Sequence, residues 1–369
     1  MSRTRVVLIA LSLTTIAACS APDPAPSRVS SRQGAVVGGT VDDSSKAVVG
    51  LGVGINNFFF GHCTGTLILP NLILTARHCV ALTQSPGQQG SVVCGKTQFT
   101  LQGPGEIFRA TTLTKRPEQD TGGGEFYKGI GKVFVDKAAN DICGFDVALI
   151  MLEGKGIPAS EAVPIEPRIE ETAQTGETMS AVGYGLTAAG GGPDSGATSG
   201  TRMRIDGRKI VCTKSGCTAA FVTDKEFGTD APTCQGDSGG PALDSQGRVF
   251  GVLSRGPQGC SSSVYGDVAS NKDLVITAAL AAIKSGGIEP PAWLKAYVPE
   301  PDAAVSEAGG DGGASGDGTS SGGDSNNKDD SSGCAVSGRG IASGTPLLLA
   351  LVLFALLALL ARRRRQHQR

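Results

Sequence analysis

The stretch Thr233–Leu243, "TCQGDSGGPAL", sets one serine, Ser238, between Asp237 and the pair Gly239 and Gly240. A loop selected only for flexibility would carry interchangeable polar residues. Here Cys234 pins one side, and Gly236, Gly239 and Gly240 let the backbone approach something closely. That is how a reactive hydroxyl is presented. A serine is a weak nucleophile until a base takes its proton, and histidine is the usual base near neutral pH.

The chain offers three histidines, His62, His78 and His367. His367 lies in an arginine-rich tail beyond an apolar run, out of reach of a folded site. The segment "TGTLILPNLILTARHC" (64–79) reads as strand, Pro70-Asn71 turn, strand, with His78 where the apolar "NLILTA" run stops and Cys79 beside it. His62 opens the first strand of that hairpin. A side chain at a strand end can face a cleft, and a carboxylate ahead of an apolar strand can orient an imidazole; "GFDVALIML" supplies Asp146. Taken singly, His78 reads as an ordinary strand-end histidine and Asp146 as a cap. The weight lies in their combination with Ser238.

Composition agrees with a β-rich chain. The 369 residues are 40% hydrophobic with 54 glycines and 5% aromatics, enough for one large domain or two small ones plus tails. Gly-rich sequence between short Val/Ile/Leu/Thr runs, without long helical periodicity, places the fold among all-β sandwiches or barrels. A net charge of -1 gives no general affinity for nucleic acid.

Both ends read as targeting segments. "MSRTR" followed by "VVLIALSLTTIAAC" has the basic start, short apolar stretch and small residues of an export signal over 1–19, and "IAAC" resembles a bacterial lipobox with Cys19 as the lipidated residue. Residues 20–35 follow as a propeptide and 36–298 as the main domain. The Gly/Ser/Asp-rich stretch 299–333 cannot bury a core and reads as a solvated tether. Over 334–369 come Cys334, the apolar run 345–361 and Arg362, Arg363, Arg364 and Arg365. The 17 residues of that run span about 26 Å as a helix, just under a hydrocarbon core of roughly 30 Å, and the arginines belong on the cytoplasmic side. Cysteine, apolar helix and arginine cluster in this order resemble the C-terminal sorting tags of myxobacterial surface proteins, in which a sorting protease cuts the tail. The plainer reading is a membrane anchor. Either way the termini attach the chain to a membrane, at the outer membrane or cell surface, with release to the medium as the other fate.

An exported chain can keep disulfides. Setting aside Cys19 and Cys334 leaves Cys63, Cys79, Cys94, Cys143, Cys212, Cys217, Cys234 and Cys260, an even set whose pairing spacing alone does not give. No CxxC or Cys/His cluster has metal spacing, so neither a metal nor another cofactor is expected.

The chain order His78, Asp146, Ser238 in "LTARHC", "DVALIML" and "GDSGGP" resembles the trypsin and chymotrypsin family of serine proteases, over roughly 36–285. "VVGGT" (36–40), "TGTLI" (64–68), "VGYG" (182–185) and "GVLSRG" (251–256) fall in the family's order. The resemblance implies two six-stranded antiparallel barrels with the active site between them, a short C-terminal helix, and protein or peptide substrates cut through an acyl-enzyme. It implies the pairs Cys63–Cys79 and Cys234–Cys260, leaving Cys94–Cys143 and Cys212–Cys217 as the guess for the rest. Gly236 and Ser238 would form the oxyanion hole with their N–H groups, and Asp237 would bind the amino group of Val36 once the propeptide is cut.

Two departures bear on specificity. The residue before the cut is Ala35, with the nearest arginine at Arg32, which argues against a trypsin-like activator. Six positions before Ser238, where trypsin-like members carry an acid that grips Arg or Lys, stands Pro232; Asp230 is two positions too early. With Thr233, Ser254 and Gly256 on its walls and Ser263 making it shallower, an uncharged pocket would leave a cationic side chain desolvated and unpaired. Small or medium apolar residues are expected before the cut, and Gln33-Gly34-Ala35 would then be a substrate for the enzyme itself. Arg255 either favours acidic neighbours in the substrate or is simply solvated; the solvated reading is preferred. The segment 116–132 reads as an extra loop. The remaining alternative is a surface binding or adhesion module on a protease scaffold, against which stands the presence of His78, Asp146, Ser238 and Gly236 together. A lipase-type G-x-S-x-G elbow does not match, since the local order is GDSGG and His78 comes first.

Overall fold

Runs of Val, Leu and Ile broken by glycine and proline form strands, and closing them into a barrel removes the unpaired edges of an open sheet. In a computed structural model, which describes residues 29–30, 36–55, 58–86, 91–186, 200–217 and 222–299, six strands do so: β1 (Val48–Ile55), β2 (Phe58–Leu69), β3 (Leu72–Thr75), β4 (Phe108–Thr111), β5 (Tyr127–Val135) and β6 (Ala148–Leu152). Their order around the barrel is β1-β2-β3-β6-β5-β4. Six more follow: β7 (Thr178–Gly183), β8 (Met203–Thr213), β9 (Glu226–Thr229), β10 (Pro241–Leu243), β11 (Val249–Arg255) and β12 (Ser263–Asp267). They run β7-β8-β9-β12-β11-β10, closed by the β7–β8 and β7–β10 pairings, with Thr40–Val41 added outside β8. The two barrels therefore repeat one strand order, and all pairings within them are antiparallel.

The hairpin that carries His78 is the local key to the first barrel. Pro70 and Asn71 turn β2 into β3, where a proline costs no ladder hydrogen bond. The Asn71 side-chain amide also donates to the Ala282 carbonyl at 2.9 Å, in helix α2 (Lys272–Gly286) near the end of the domain. Every residue of β3 and β6 is buried. Leu72, Ile73, Leu74, Leu149, Ile150 and Met151 join Val275, Ala278, Ala279 and Ala282 of α2 in one core. The second barrel has its own core, in which the Phe227 ring stacks between those of Phe250 and Tyr265 at 5.3 and 5.5 Å.

Two expectations are corrected here. His78 does not end a strand. After Ala76 the chain makes one helical turn, α1 (Arg77–Val80), from which the Arg77 guanidinium donates to the carbonyls of Asp136 and Ala139 and stacks on Phe99. The segment 116–132 is a loop only as far as Phe126; from Tyr127 onward it is β5, whose pairing with β4 and β6 closes the barrel. The export signal with Cys19, the cut before Val36 on its Ala35 side, Cys334 and the apolar run 345–361 lie outside the described residues. Among the described residues, no helix is long and apolar enough to cross a membrane.

Candidate active site

Register brings His78 and Asp146 together. β3 and β6 are antiparallel with Thr75 opposite Ala148, so the chain leaving β3 towards His78 and the chain entering β6 from Asp146 meet at the same barrel end. Asp146 Oδ2 lies 2.7 Å from His78 Nδ1, and Oδ1 accepts the backbone N–H of His78 at 2.8 Å. The carboxylate thus holds the ring by one oxygen and its backbone by the other. Asp146 is sealed at 1% exposure while the His78 side chain keeps 16%, so the carboxylate is shut off from solvent and the ring is partly open to it.

The Ser238 loop comes from the second barrel but is fastened to the first. Thr64 of β2 donates its N–H to the Ser238 carbonyl at 2.8 Å and its hydroxyl to the Gly236 carbonyl at 2.7 Å. It also accepts the Tyr184 N–H at 3.0 Å. Gly239, at φ +82, sits so close to β3 that a Cβ there would lie 2.1 Å from Thr75 Oγ1. Only glycine fits that left-handed, crowded position. Its N–H bonds to the Leu253 carbonyl at 2.8 Å, tying the loop to β11. Gly236 adopts φ +102. Among the described residues, the N–H groups of Gly236 and Ser238 have no acceptor, so two backbone donors two residues apart remain available beside the serine.

Asp237 points the other way. Its carboxylate is buried at 1% exposure and accepts the N–H groups of Cys234 and Gly185, both at 3.0 Å. Burial outweighs those two bonds and pushes its pKa up to about 7. The start of the domain docks close by in sequence terms: Val36 is fully buried, and the Val37 N–H donates to the Pro232 carbonyl at 2.8 Å.

A small cavity opens beside Ser238, lined by Thr233, Cys234, Leu253, Ser254, Arg255, Gly256 and Pro257, with a volume of about 10 Å³. That is room for about one water. Of the expected pocket residues, Thr233, Ser254 and Gly256 line it. Ser263 stands behind Thr233, hydrogen-bonded to its hydroxyl and donating to the Ala231 carbonyl at 2.7 Å. Pro232 does not line it. Asp230 is turned away, accepting the Lys209 N–H at 2.6 Å.

His62 sits within β2, opposite Gly52, against the edge of the Phe59 ring. Burial, with the Arg116 charge adding to it, lowers its pKa to about 4, which keeps it neutral. His78 lies within 4.8 Å of the sulfurs of Cys63 and Cys79, but these form a disulfide and offer no thiolate to a metal. The other bridges are Cys94–Cys143, Cys212–Cys217 and Cys234–Cys260. Four disulfides fit an exported protein.

Arg255 is not solvated. Its side chain is fully buried and forms a two-pronged ion pair with Glu226, itself 1% exposed. Glu226, Thr64 and Arg77 are contributors that the linear sequence does not single out. The only signal for the first is an acid beside an apolar strand, in "KEFGT".

A pair of closed barrels with an imidazole and a carboxylate coupled at their seam is an architecture used by peptidases. The Trypsin family model matches residues 37–275, and the chain belongs to the trypsin family of serine proteases. It is therefore a peptidase by class, with proteins or peptides as substrates. It is 29% identical over 206 residues to granzyme M of Homo sapiens, covering 54% of this chain and 70% of that protein. The trypsin of Simulium vittatum is 27% identical over 248 residues, covering 63% and 88%, and that of Saccharopolyspora erythraea 29% over 226 residues, covering 58% and 85%.

Proposed function

We propose that the chain is an exported serine endopeptidase in which Ser238 attacks the peptide carbonyl, His78 takes and returns the proton, and Asp146 holds the ring and stabilises the imidazolium. The oxyanion would be bound by the Gly236 and Ser238 N–H groups. The observation that carries this reading is the His78–Asp146 pair at 2.7 Å, set at the end of the barrel to which Thr64 fastens the Ser238 loop. A serine-directed fluorophosphonate should label the protein, and Ser238→Ala should abolish the label. Persistence of labelling in the variant defeats the assignment.

The small cavity, lined by no carboxylate and with its one cation, Arg255, already paired to Glu226, supports cleavage after small or medium apolar residues. Peptides with alanine before the scissile bond should be cut roughly 10²-fold or more faster than those with arginine, whose charge would be desolvated without a partner. A cleavage profile across a peptide library checks this, and a preference for arginine or lysine overturns it. Under the same specificity, the enzyme processes its own Gln33-Gly34-Ala35 segment. Ser238→Ala should then keep its propeptide when expressed alone, whereas an amino terminus at Val36 in that variant assigns the cut to another protease.

Asp237 gives the cut its consequence. Its folded pKa, about 7, lies above its unfolded value of 3.8, so the uncut chain is best stabilised below pH 4 and loses that contribution as pH rises towards 7. The ammonium freed at Val36 reverses this by pairing with the buried carboxylate. The melting temperature of uncut protein should fall between about pH 4 and pH 7, and that of protein starting at Val36 should not. Equal profiles for the two forms would remove Asp237 from activation. The 299–333 tether, with Cys334 and the apolar 345–361 segment as a sorting tag or plain anchor, would hold the processed enzyme at the cell surface, and lipidation at Cys19 would be lost with the propeptide.

A further inference from the structure

Resting on the triad reading above, the buried pair Arg255–Glu226 extends the hydrogen-bond chain of the active site beyond Asp146. Arg255 Nη1 donates to Ser254 Oγ at 3.1 Å, and Ser254 Oγ donates to Asp146 Oδ2 at 2.6 Å. On its other side the guanidinium holds Glu226 through both nitrogens, at 2.6 and 2.8 Å. Glu226 in turn accepts the Gly144 N–H at 2.8 Å, two residues before Asp146, and the Thr223 N–H at 2.9 Å. The path closes on itself: carboxylate, hydroxyl, guanidinium, carboxylate, and back along the chain from Gly144 to Asp146.

We infer that Arg255 and Glu226 are positioning residues for the triad, fixing both the direction of the Ser254 proton and the placement of the Asp146 carboxylate. A serine hydroxyl has one proton and can point it either way, whereas a guanidinium has donors only and is always charged. With Arg255 donating to its oxygen, Ser254 must spend its proton on Asp146 Oδ2. Asp146 then remains an acceptor towards both Ser254 and His78 Nδ1, which fixes the ring proton on Nδ1 and leaves the other nitrogen free to accept one. Glu226 keeps the guanidinium in its fork and pins the chain segment that carries Asp146.

The pair also sets the local field, because the cation is the nearer member to Asp146. The other charged groups around this centre are Arg77, which interacts with Asp146 and with Asp136, and Asp141, which interacts with Arg255; Lys225 pairs with Asp136. Removing only the Glu226 charge leaves Arg255 uncompensated and disfavours the imidazolium. Removing both charges withdraws the nearer cation and favours it. The two changes must move the protonation of His78 in opposite directions.

The experiment uses protein processed to Val36, carrying either Glu226→Gln or the apolar double replacement Arg255→Met with Glu226→Leu, which buries no orphan charge. Two readouts are taken: the pH dependence of the low-field proton resonance of the His78 ring, which needs no turnover, and kcat and KM separately. Expected are titration midpoints displaced by roughly half a pH unit, downward in Glu226→Gln and upward in the double variant, less than the shift from a direct ionic neighbour. kcat should fall about tenfold in the double variant, and KM should stay within about twofold in Glu226→Gln, whose side chain does not line the cavity beside Ser238. Unmoved midpoints in both variants, or displacements of the same sign, overturn the inference and leave the pair a structural clamp. If wild-type protein neither turns over peptide nor takes a fluorophosphonate, the peptidase reading fails, while the resonance still decides the role of the pair.

Discussion

Under the proposed mechanism Ser238→Ala should lower kcat by about 10⁶-fold, the loss measured when a serine nucleophile is removed from a triad acting as a unit. The size follows from what the substitution leaves in place. The Ser238 carbonyl still accepts the Thr64 N–H, and Gly239 still bonds to Leu253, so the loop and its two free N–H groups keep their geometry. The variant should bind peptide as before and melt within a few degrees of wild type, since the hydroxyl is not part of the core packing. What should remain is substrate binding and polarisation of the carbonyl by the N–H pair, which together sustain about 10³- to 10⁴-fold over water. Steady-state hydrolysis with an active-site titration checks the number. A fall of less than about a hundredfold would mean that another group attacks the carbonyl.

How far the site can be read from sequence depends on whether a contact is local or crosses the molecule. His78 and Asp146 are legible because each borders an apolar run whose strand pairing puts their chain ends side by side, and Thr75 opposite Ala148 is that pairing. The Ser238 loop is legible because its glycines have a physical reason: Gly239 lies against Thr75 and Thr64, where any side chain would collide. The alternation of short apolar runs and turns gives the all-β class alone; the two barrels are legible only through the family resemblance carried by the motifs around His78, Asp146 and Ser238, and the repeated strand order of the two halves agrees with it. Arg255 shows the opposite case. A charged residue ending the strand "VFGVLSR" looks the same whether it meets water or a partner, and Glu226 lies 29 residues away on another strand. Nothing in either local sequence announces the pair. Thr64 escapes for the same reason, because an ordinary strand threonine becomes the clamp between barrels only when Gly236, Ser238 and Tyr184 arrive around it. The segment 116–132 misleads because its glycines and charges read as loop, while the tertiary demand for a sixth strand takes Tyr127–Val135 into the barrel.

Asp146→Asn should lower kcat by about 10⁴-fold, and the hydrogen-bond pattern explains why so conservative a change is so costly. Both oxygens of Asp146 face donors only: Oδ1 meets the His78 N–H, and Oδ2 meets Ser254 Oγ and His78 Nδ1. An asparagine must put its NH2 group on one side or the other. On the Oδ1 side it confronts the His78 backbone N–H, two donors face to face in a buried site, at a cost of about 1–3 kcal/mol. Placing it on the Oδ2 side makes the amide donate to Nδ1 instead, which moves the ring proton to the far nitrogen and removes the lone pair that must accept the serine proton. The second arrangement keeps the His78 backbone bond, at the cost of the Ser254 proton losing Asp146 as its acceptor, and it is the inactive one. The variant should therefore fold and bind substrate while failing in the proton-transfer step: a nearly unchanged KM, kcat lower by about four orders of magnitude, and loss of the low-field His78 Nδ1 proton resonance. An asparagine variant retaining more than about a tenth of wild-type kcat would show that the imidazole takes its orientation from some other group, and that the 2.7 Å contact contributes to folding and not to proton transfer.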